Sequence, residues 1–219
     1  MRPRPDPVDP GQRSVWDFPR PAIAERCVAH VRIEHGGHLI ADTSASVCTF
    51  ETSHPPSYYI PPDAITPDVL RAAGGGSFCE WKGSAIYWDV VIDGIVLPRV
   101  GWSYRDPTPA FAMLRDHVAF YAAPFDRCLV DGETVVPQPG SFYGGWITSD
   151  LAGPFKGIPG SMGWWTTIRP IPFRPSRVSA RCRVGALRAS ASSGDWRPAS
   201  AVECSPRVHG DWRRVNGRG

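Results

Sequence analysis

The chain has 219 residues, of which 42% are hydrophobic and 11% aromatic, enough apolar material for the core of one domain. No run of about 18 apolar residues occurs, and the polar start of the chain lacks the apolar centre of a signal peptide, so we expect no membrane association. The six cysteines form no C-x-x-C pair, which predicts neither a zinc site nor a disulfide framework and favours a reducing cytoplasm.

The net charge of +3 is unevenly distributed along the chain. Residues 166–219 contain 11 arginines, no lysine and three acidic residues, a net charge of +8, so residues 1–165 carry −5. A mildly acidic body is not typical of a nucleic-acid-binding surface, whereas the arginine-rich segment could contact nucleic acid. Because this segment is rich in Ser, Arg and Pro and loses hydrophobic alternation, we expect a disordered tail over 166–219.

The first third of the chain predicts short strands and turns. Residues 1–14 are polar and proline-rich and predict a disordered leader, so the body spans 15–165. Alternation predicts a strand over 28–34, and His35-Gly36-Gly37-His38 is typical of a hairpin turn because glycine accepts positive φ. A strand over 47–51 places Glu51 at its end, on the same face as Val47 and Thr49.

The middle of the chain predicts one short helix and then further hairpins. Residues 62–72 are the best helix candidate, followed by a glycine-rich loop over 73–77. Strands over 85–92 and 95–100 are joined by Asp93-Gly94, a type I′ turn signal. Residues 111–121 have helical spacing that runs into a strand, and 128–136 form a hairpin around Asp131-Gly132. The 24 prolines and 22 glycines also favour a mainly β fold with one or two short helices.

Two stretches carry most of the polar and aromatic groups that could form a site. The first, residues 51–62, contains Glu51, His54, Tyr58 and Tyr59 among four prolines. Proline fixes φ and removes a backbone donor, so this stretch predicts a stiff, extended loop that presents functional groups. The second stretch, residues 79–88, begins with Cys79. The neighbouring Lys82 could lower the pKa of this thiol, but without a His/Asn arrangement we prefer to interpret it as buried and unreactive.

The only two lysines, Lys82 and Lys156, stand among 22 arginines, and each lies between an aromatic residue and a glycine. These positions therefore suggest a need for a compact ammonium group, with Gly83 allowing close approach of a ligand to Lys82. The alternative is that each lysine only covers an aromatic ring. Glu51 is the natural partner of Lys82, either as a structural ion pair or as a proton donor and acceptor. His54 titrates near neutrality and could transfer protons, although a loop histidine is more often simply solvated.

The aromatic residues near these stretches could line a cleft for a small molecule or could form the core of the domain. They are Tyr58, Tyr59, Tyr87, Trp88, Trp102 and Tyr104. No phosphate-binding loop of the G-x-x-x-x-G-K-[ST] type is present, and no clear set of carboxylates could hold Mg²⁺. The sequence therefore predicts no metal and no cofactor.

Several of these motifs, in the same order, resemble domain-of-unknown-function family 427, a bacterial family that is sometimes labelled nucleotidyltransferase. The resemblance covers roughly 15–165 and rests on Glu51-Thr52-Ser53-His54-Pro55-Pro56, Tyr58-Tyr59-Ile60-Pro61, Cys79-Glu80-Trp81-Lys82-Gly83, Ala85, Tyr87-Trp88, Trp102-Ser103-Tyr104, Ala119-Phe120-Tyr121, Gly153-Pro154-Phe155-Lys156-Gly157, Pro159-Gly160 and Gly163-Trp164. It implies a small antiparallel β-tent (Mss4-like) fold with a cleft between sheets. Zinc-binding relatives of that fold use paired C-x-x-C knuckles, which this sequence lacks.

The preferred interpretation is a β domain that binds a small anionic ligand in an aromatic cleft with Glu51 and Lys82. The first alternative is a nucleotidyltransferase-like enzyme, in which Lys82 holds a phosphate and Glu51 or His54 moves protons. The second alternative is a peptide or protein interaction module. An enzyme predicts that Glu51 and His54 converge on one concave site, whereas a binding module predicts an aromatic slot without paired titratable groups.

Overall fold

Short strands dominate the computed structural model, which describes residues 4–140 and 142–158. Within these residues, three 3₁₀ helices span Val15–Asp17, Pro62–Ala64 and Pro109–Leu114. The strands within the described residues are β1 Arg13–Ser14, β2 Ile23–Arg26, β3 Val31–His35, β4 His38–Thr43, β5 Val47–Phe50, β6 Ser57–Ile60, β7 Leu70–Cys79, β8 Gly83–Ile92, β9 Ile95–Ser103, β10 Val118–Phe120, β11 Arg127–Val130, β12 Glu133–Thr134, β13 Val136–Pro137, β14 Trp146–Ile147 and β15 Leu151–Ala152. The prediction of a mainly β fold is confirmed.

The larger sheet has seven antiparallel strands in the order β2-β5-β6-β10-β9-β8-β7. The hairpin between β8 and β9 turns at Asp93-Gly94, where both residues have positive φ, as a type I′ turn requires. The smaller sheet has the order β12-β11-β3-β4 and contains the hairpins predicted at 35–38 and around Asp131-Gly132.

The main core lies between these two sheets. Alternate residues of β3, such as Val31 and Ile33, pack with residues of the larger sheet such as Ile60 and Phe120, and all four are almost fully buried. Tyr58 and Trp88 also turn toward this core. Burial of this apolar surface supplies most of the stabilising free energy, at about 25 cal/mol per Å² removed from water.

A second core covers the opposite face of the larger sheet, which is called the outer face below. Tyr59, Trp102 and Tyr104 belong to it, and the 3₁₀ helix Pro109–Leu114 packs against it through Phe111 and Leu114. The central strands are therefore buried on both sides. Tyr58 and Tyr59 illustrate this, because adjacent residues of one strand point to opposite faces.

Two predictions of local structure are wrong. Residues 62–72 are not a helix: only Pro62–Ala64 is helical, and β7 begins at Leu70. The glycine-rich residues 73–77 are not a loop but continue β7 through a bulge near Gly75, whose φ is +80°. Glycine allows such a bulge within a strand. The long pairing of β7 with β8 therefore prevails over weak helical spacing.

The stretch 51–62 differs from its prediction in one respect. Its residues Ser57–Ile60 form β6, an inner strand between β5 and β10, rather than a loop. The proline pairs stand just outside that strand, because proline cannot donate to the ladder of a central strand. The extended backbone was predicted, but its place in the sheet was not.

Part of the predicted leader, residues 1–14, is paired with the body. Arg13–Ser14 forms a parallel bridge to Leu151–Ala152, and the Asp6 N–H donates to the carbonyl of Gly153 at 2.9 Å. Val15 and Trp16 follow at once and are buried, which anchors this segment. The predicted tail 166–219 lies outside the described residues. No helix in the described part of the chain has the length and hydrophobicity needed to cross a bilayer.

Candidate functional site

A tight turn at the end of β5 positions Glu51 and His54. The His54 N–H donates to the carbonyl of Glu51 at 3.0 Å, and Ser53 within the turn has φ +71°. Positive φ is uncommon for a residue with a side chain and requires support from its surroundings. That support comes from two segments far apart in the sequence, since the Ser53 N–H donates to the carbonyl of Val15 and the Ser53 carbonyl accepts from the N–H of Lys156, each at 2.8 Å.

The two lysines of the chain converge on this turn. The backbone hydrogen bond from Lys156 to Ser53 holds Lys156 beside the turn, and the Nζ atom of Lys156 lies 5.1 Å from the ring centroid of Tyr143. Lys82 lies in the β7–β8 loop, with its Nζ 5.6 Å from the ring centroid of Phe111. The positive charges of both lysines act on the imidazole of His54. We call Glu51, His54, Lys82, Tyr143 and Lys156 the two-lysine site.

The loop that carries Lys82 is held by the 3₁₀ helix on the outer face. The hydroxyl of Thr108 donates to the carbonyl of Trp81 at 2.5 Å, and the Thr108 N–H donates to the carbonyl of Lys82 at 3.2 Å. Gly83 has φ +97°, a conformation that favours glycine. The glycine next to Lys82 is thus explained by the backbone turn itself.

Gln138 orients His54 through a buried amide network. The Oε1 atom of Gln138 accepts from the Gly145 N–H at 3.0 Å, so the other end of the amide must be the donor. Its Nε2 donates to the carbonyl of Lys156 at 2.9 Å and to Nδ1 of His54 at 3.1 Å. Nδ1 of His54 is therefore an acceptor, and the proton of the neutral ring is on Nε2.

The Nε2–H group of His54 is buried, and among the described residues it has no hydrogen-bond acceptor. The residue is 8% exposed, and its ring makes an edge contact with Tyr143 at 4.6 Å between centroids. Most buried donors in proteins have a partner, so a buried donor without one requires an explanation. An acceptor atom of a ligand would provide it.

Burial, together with the positive charges of Lys156 and Lys82, lowers the pKa of His54 to about 3. The ring is therefore neutral at physiological pH and acts as a fixed donor. Burial also lowers the pKa of Lys156, although the Glu51 carboxylate opposes this effect. Burial acts in the same direction on Lys82, but Tyr59, Cys79 and Glu51 outweigh it and raise the pKa of Lys82. Lys82 therefore keeps its charge.

Glu51 lies at the edge of the two-lysine site, with 18% of its side chain exposed. Its Oε1 accepts from the indole N–H of Trp81 at 3.4 Å and lies 3.9 Å from Nη1 of Arg20. The Arg20 guanidinium also lies 4.0 Å from Glu80 and covers the ring of Trp81. Within the described residues the close ionic partner of Glu51 is Arg20, while Lys82 interacts with it over a longer distance.

The structure brings together some of the predicted aromatic residues and separates others. Tyr59, Tyr87, Trp102 and Tyr104 belong to the outer face, whereas Tyr58 and Trp88 face the main core. Tyr59 is 1% exposed, and its hydroxyl accepts from the indole N–H of Trp102 at 3.2 Å. Tyr59, Trp102 and Tyr104 are buried and pack against one another in the core of the outer face. Cys79, which is half-buried, joins the same cluster.

Three contributors to the site were not singled out in the sequence: Arg20, Gln138 and Tyr143. Gln138 and Tyr143 lie in a proline- and glycine-rich stretch without periodicity, so no pattern marks them. Lys156 was detectable because it repeats the aromatic-Lys-Gly pattern of Lys82. Within residues 4–140 and 142–158, no group of three or more His, Cys, Asp or Glu side chains is arranged to hold a metal ion.

Comparison with protein families matches residues 23–131 to the family NTP_transf_9, described as a domain of unknown function (DUF427). The chain belongs to this family, as its motifs predicted. The matched residues include Glu51, His54 and Lys82, whereas Gln138, Tyr143 and Lys156 lie beyond them. No curated protein matches the chain.

Proposed function

We propose that the protein binds a small molecule with an anionic oxygen group, such as a phosphate or carboxylate, at the two-lysine site. The observation that carries this proposal is the convergence of the only two lysines of the chain on one buried, unpartnered histidine N–H. Arg20 brings a third cation to the edge of the site, against the carboxylates of Glu51 and Glu80. The local balance of charge therefore favours an anion.

The neutral His54 adds directional selectivity to this charge. A phosphate or carboxylate oxygen can accept from Nε2–H while the two ammonium groups neutralise the negative charge. Tyr143 lies against both His54 and Lys156, so its ring would pack against one side of the bound ligand. The aromatic contacts of the ligand are thus expected from Tyr143 and Trp81, because Tyr59 and Trp102 are already buried.

The test is a thermal-shift screen of the full chain with inorganic phosphate, pyrophosphate, ATP and citrate at constant ionic strength. A ligand present at 100 times its Kd should stabilise the folded state by about 2.7 kcal/mol. Lys82→Arg should fold normally and lose the shift, since a planar guanidinium does not replace a compact ammonium group. Lys156→Arg should behave in the same way.

The matched control is Arg127→Lys, which exchanges the same two side chains at an exposed ion pair with Glu34 on the smaller sheet. This variant should retain the full ligand-induced shift. If none of the four anions shifts the melting temperature, or if Lys82→Arg and Lys156→Arg respond as the wild type does, the proposal is wrong.

A second candidate function is nucleotidyl transfer, which the short name of the family suggests. In that case the lysines would hold the phosphates while a hydroxyl group of the acceptor molecule attacks the α-phosphorus and pyrophosphate leaves. Glu51 would accept the proton of that hydroxyl group, because Nδ1 of His54 already accepts from Gln138. Release of pyrophosphate from a nucleoside triphosphate in the presence of Mg²⁺ would test it. Glu51→Gln should abolish that release and leave nucleotide binding intact. We place either function in the cytoplasm, whose reducing environment suits the free cysteines of the described residues in the absence of an oxidant.

A further inference from the structure

Two cysteines lie near each other on one face of the larger sheet: Cys27 directly follows β2, and Cys48 lies in the neighbouring strand β5. In the pairing of β2 with β5, Glu25 is opposite Cys48 and Arg26 is opposite Val47. The ladder continues by one step, because the Cys27 N–H donates to the carbonyl of Ser46 at 2.8 Å. Cys27 and Cys48 are therefore diagonal neighbours on the same face of the sheet, both packed against the main core.

The two thiols have different surroundings. Cys48 is 1% exposed, whereas Cys27 is half-buried just beyond the end of β2, which is an edge strand. The nearby Cys48 thiol lowers the pKa of Cys27 to about 6, and the interaction with Cys27, together with burial, raises the pKa of Cys48. The more accessible Cys27 sulfur thus loses its proton more readily and is the nucleophile of the pair, whereas its buried neighbour stays a thiol.

We propose that Cys27 and Cys48 form an oxidation site that converts reversibly into a disulfide when a peroxide is present. The Cys27 sulfur attacks one oxygen of hydrogen peroxide, the O–O bond breaks, hydroxide leaves, and Cys27 becomes a sulfenic acid. The Cys48 sulfur then attacks the Cys27 sulfur and the S–O bond breaks. The departing oxygen takes the Cys48 proton and leaves as water. The two cysteines lose two electrons in total, and the peroxide gains them.

The geometry permits this bond with a small movement of one strand end. Diagonal neighbours in an antiparallel pair are about 7–8 Å apart between Cα atoms, slightly above the usual span of a disulfide. Cys27 follows the last residue of β2, and β2 has a neighbour on one side only within the described sheet. The end of an edge strand can shift by the remaining distance more easily than the central strands can.

The experiment treats the native full chain with a small excess of hydrogen peroxide, blocks the remaining thiols after denaturation, and maps the tryptic peptides without reduction. Cleavage after Arg26, Arg32 and Arg71 places Cys27 in residues 27–32 and Cys48 in residues 33–71. We expect these two peptides to be linked, to be lighter by two hydrogens than their sum, and to separate after dithiothreitol.

Single variants test the order of the steps. In Cys48→Ser the sulfenic acid on Cys27 should persist and react with dimedone, whereas in Cys27→Ser the Cys48 thiol should remain unoxidised. If the serine disturbs the buried position, Cys48→Ala gives the same readout with an apolar side chain. Cys128 is the internal reference: burial raises its pKa to about 12, so it should stay reduced throughout. Recovery of Cys27 and Cys48 as separate blocked thiols, or a link from Cys27 to another cysteine, would overturn the proposal.

Discussion

His54→Gln should change how the stability of the protein depends on pH. Folding lowers the pKa of His54 from its usual 6.5 to about 3, so the folded state favours the neutral ring. A group of this kind contributes its full stability above pH 6.5 and loses it as the pH falls toward 3, because the unfolded chain then binds a proton that the folded chain excludes. Glutamine cannot titrate, yet it keeps an amide N–H near the position of Nε2.

The magnitude follows from the size of the shift. One pKa unit corresponds to about 1.4 kcal/mol, so the complete change is about 5 kcal/mol. Over the experimentally useful interval from about pH 7 to about pH 5, the wild type should lose about 2 kcal/mol more than His54→Gln, since every other titrating group is common to both proteins.

Urea unfolding of both proteins at several pH values measures this difference directly. Equal m-values for the two proteins are the internal control, because they show that both proteins expose the same amount of surface on unfolding. The nitrogen chemical shifts of His54 in the folded wild type provide a second readout and should report a neutral ring protonated at Nε2. A stability difference that stays constant from pH 7 to pH 5, or a ring protonated at Nδ1, would refute the reasoning.

Three further changes probe the packing around the site by urea unfolding at neutral pH. Gln138→Leu should cost about 1–3 kcal/mol, because it leaves the buried Gly145 N–H without an acceptor; an unchanged midpoint would contradict this. Gly145→Ala should destabilise the protein strongly, since the new Cβ would lie 2.6–2.7 Å from atoms of Pro55 and Gln138. Gly74→Ala is the control, because a Cβ at that position meets nothing within 4 Å. Trp102→Phe should cost about 1 kcal/mol, because the buried Tyr59 hydroxyl loses its donor; equal stability would mean that this contact is weak.

The fold class and most hairpins could be predicted because they depend on local signals. Asp93-Gly94 and Gly36-Gly37 specify turns through backbone conformation alone, and the neighbouring strands alternate in hydrophobicity. The failure at 62–72 has a different origin. That segment has no strong local preference, and its backbone bonds to two different strands. Ile65 and Thr66 pair with β4, and Leu70–Ala72 pair with β8, partners that periodicity within the segment cannot reveal.

The site could be predicted only where composition singled out a residue. Lys82 and Lys156 were conspicuous because lysine is otherwise absent from the chain, and both reach the same site. Their common location depends on Ser53, which joins the end of β5 to Lys156 through a backbone hydrogen bond. No sequence pattern indicates a contact between backbone groups about a hundred residues apart, so the proximity of the two lysines could not be predicted from the sequence.

The role of His54 shows most clearly what the sequence lacks. A histidine between serine and proline in a polar loop suggested a solvent-exposed group that exchanges protons near neutrality. In the structure Gln138 occupies Nδ1 and burial keeps the ring neutral, so the same residue can only donate from Nε2. The residue type determines which reactions a histidine can perform, but the tautomer of His54 is set by the amide of Gln138, 84 positions away. The proposed nucleotidyl transfer would therefore need a base other than His54, and we propose Glu51, at the solvent edge of the site, for that role.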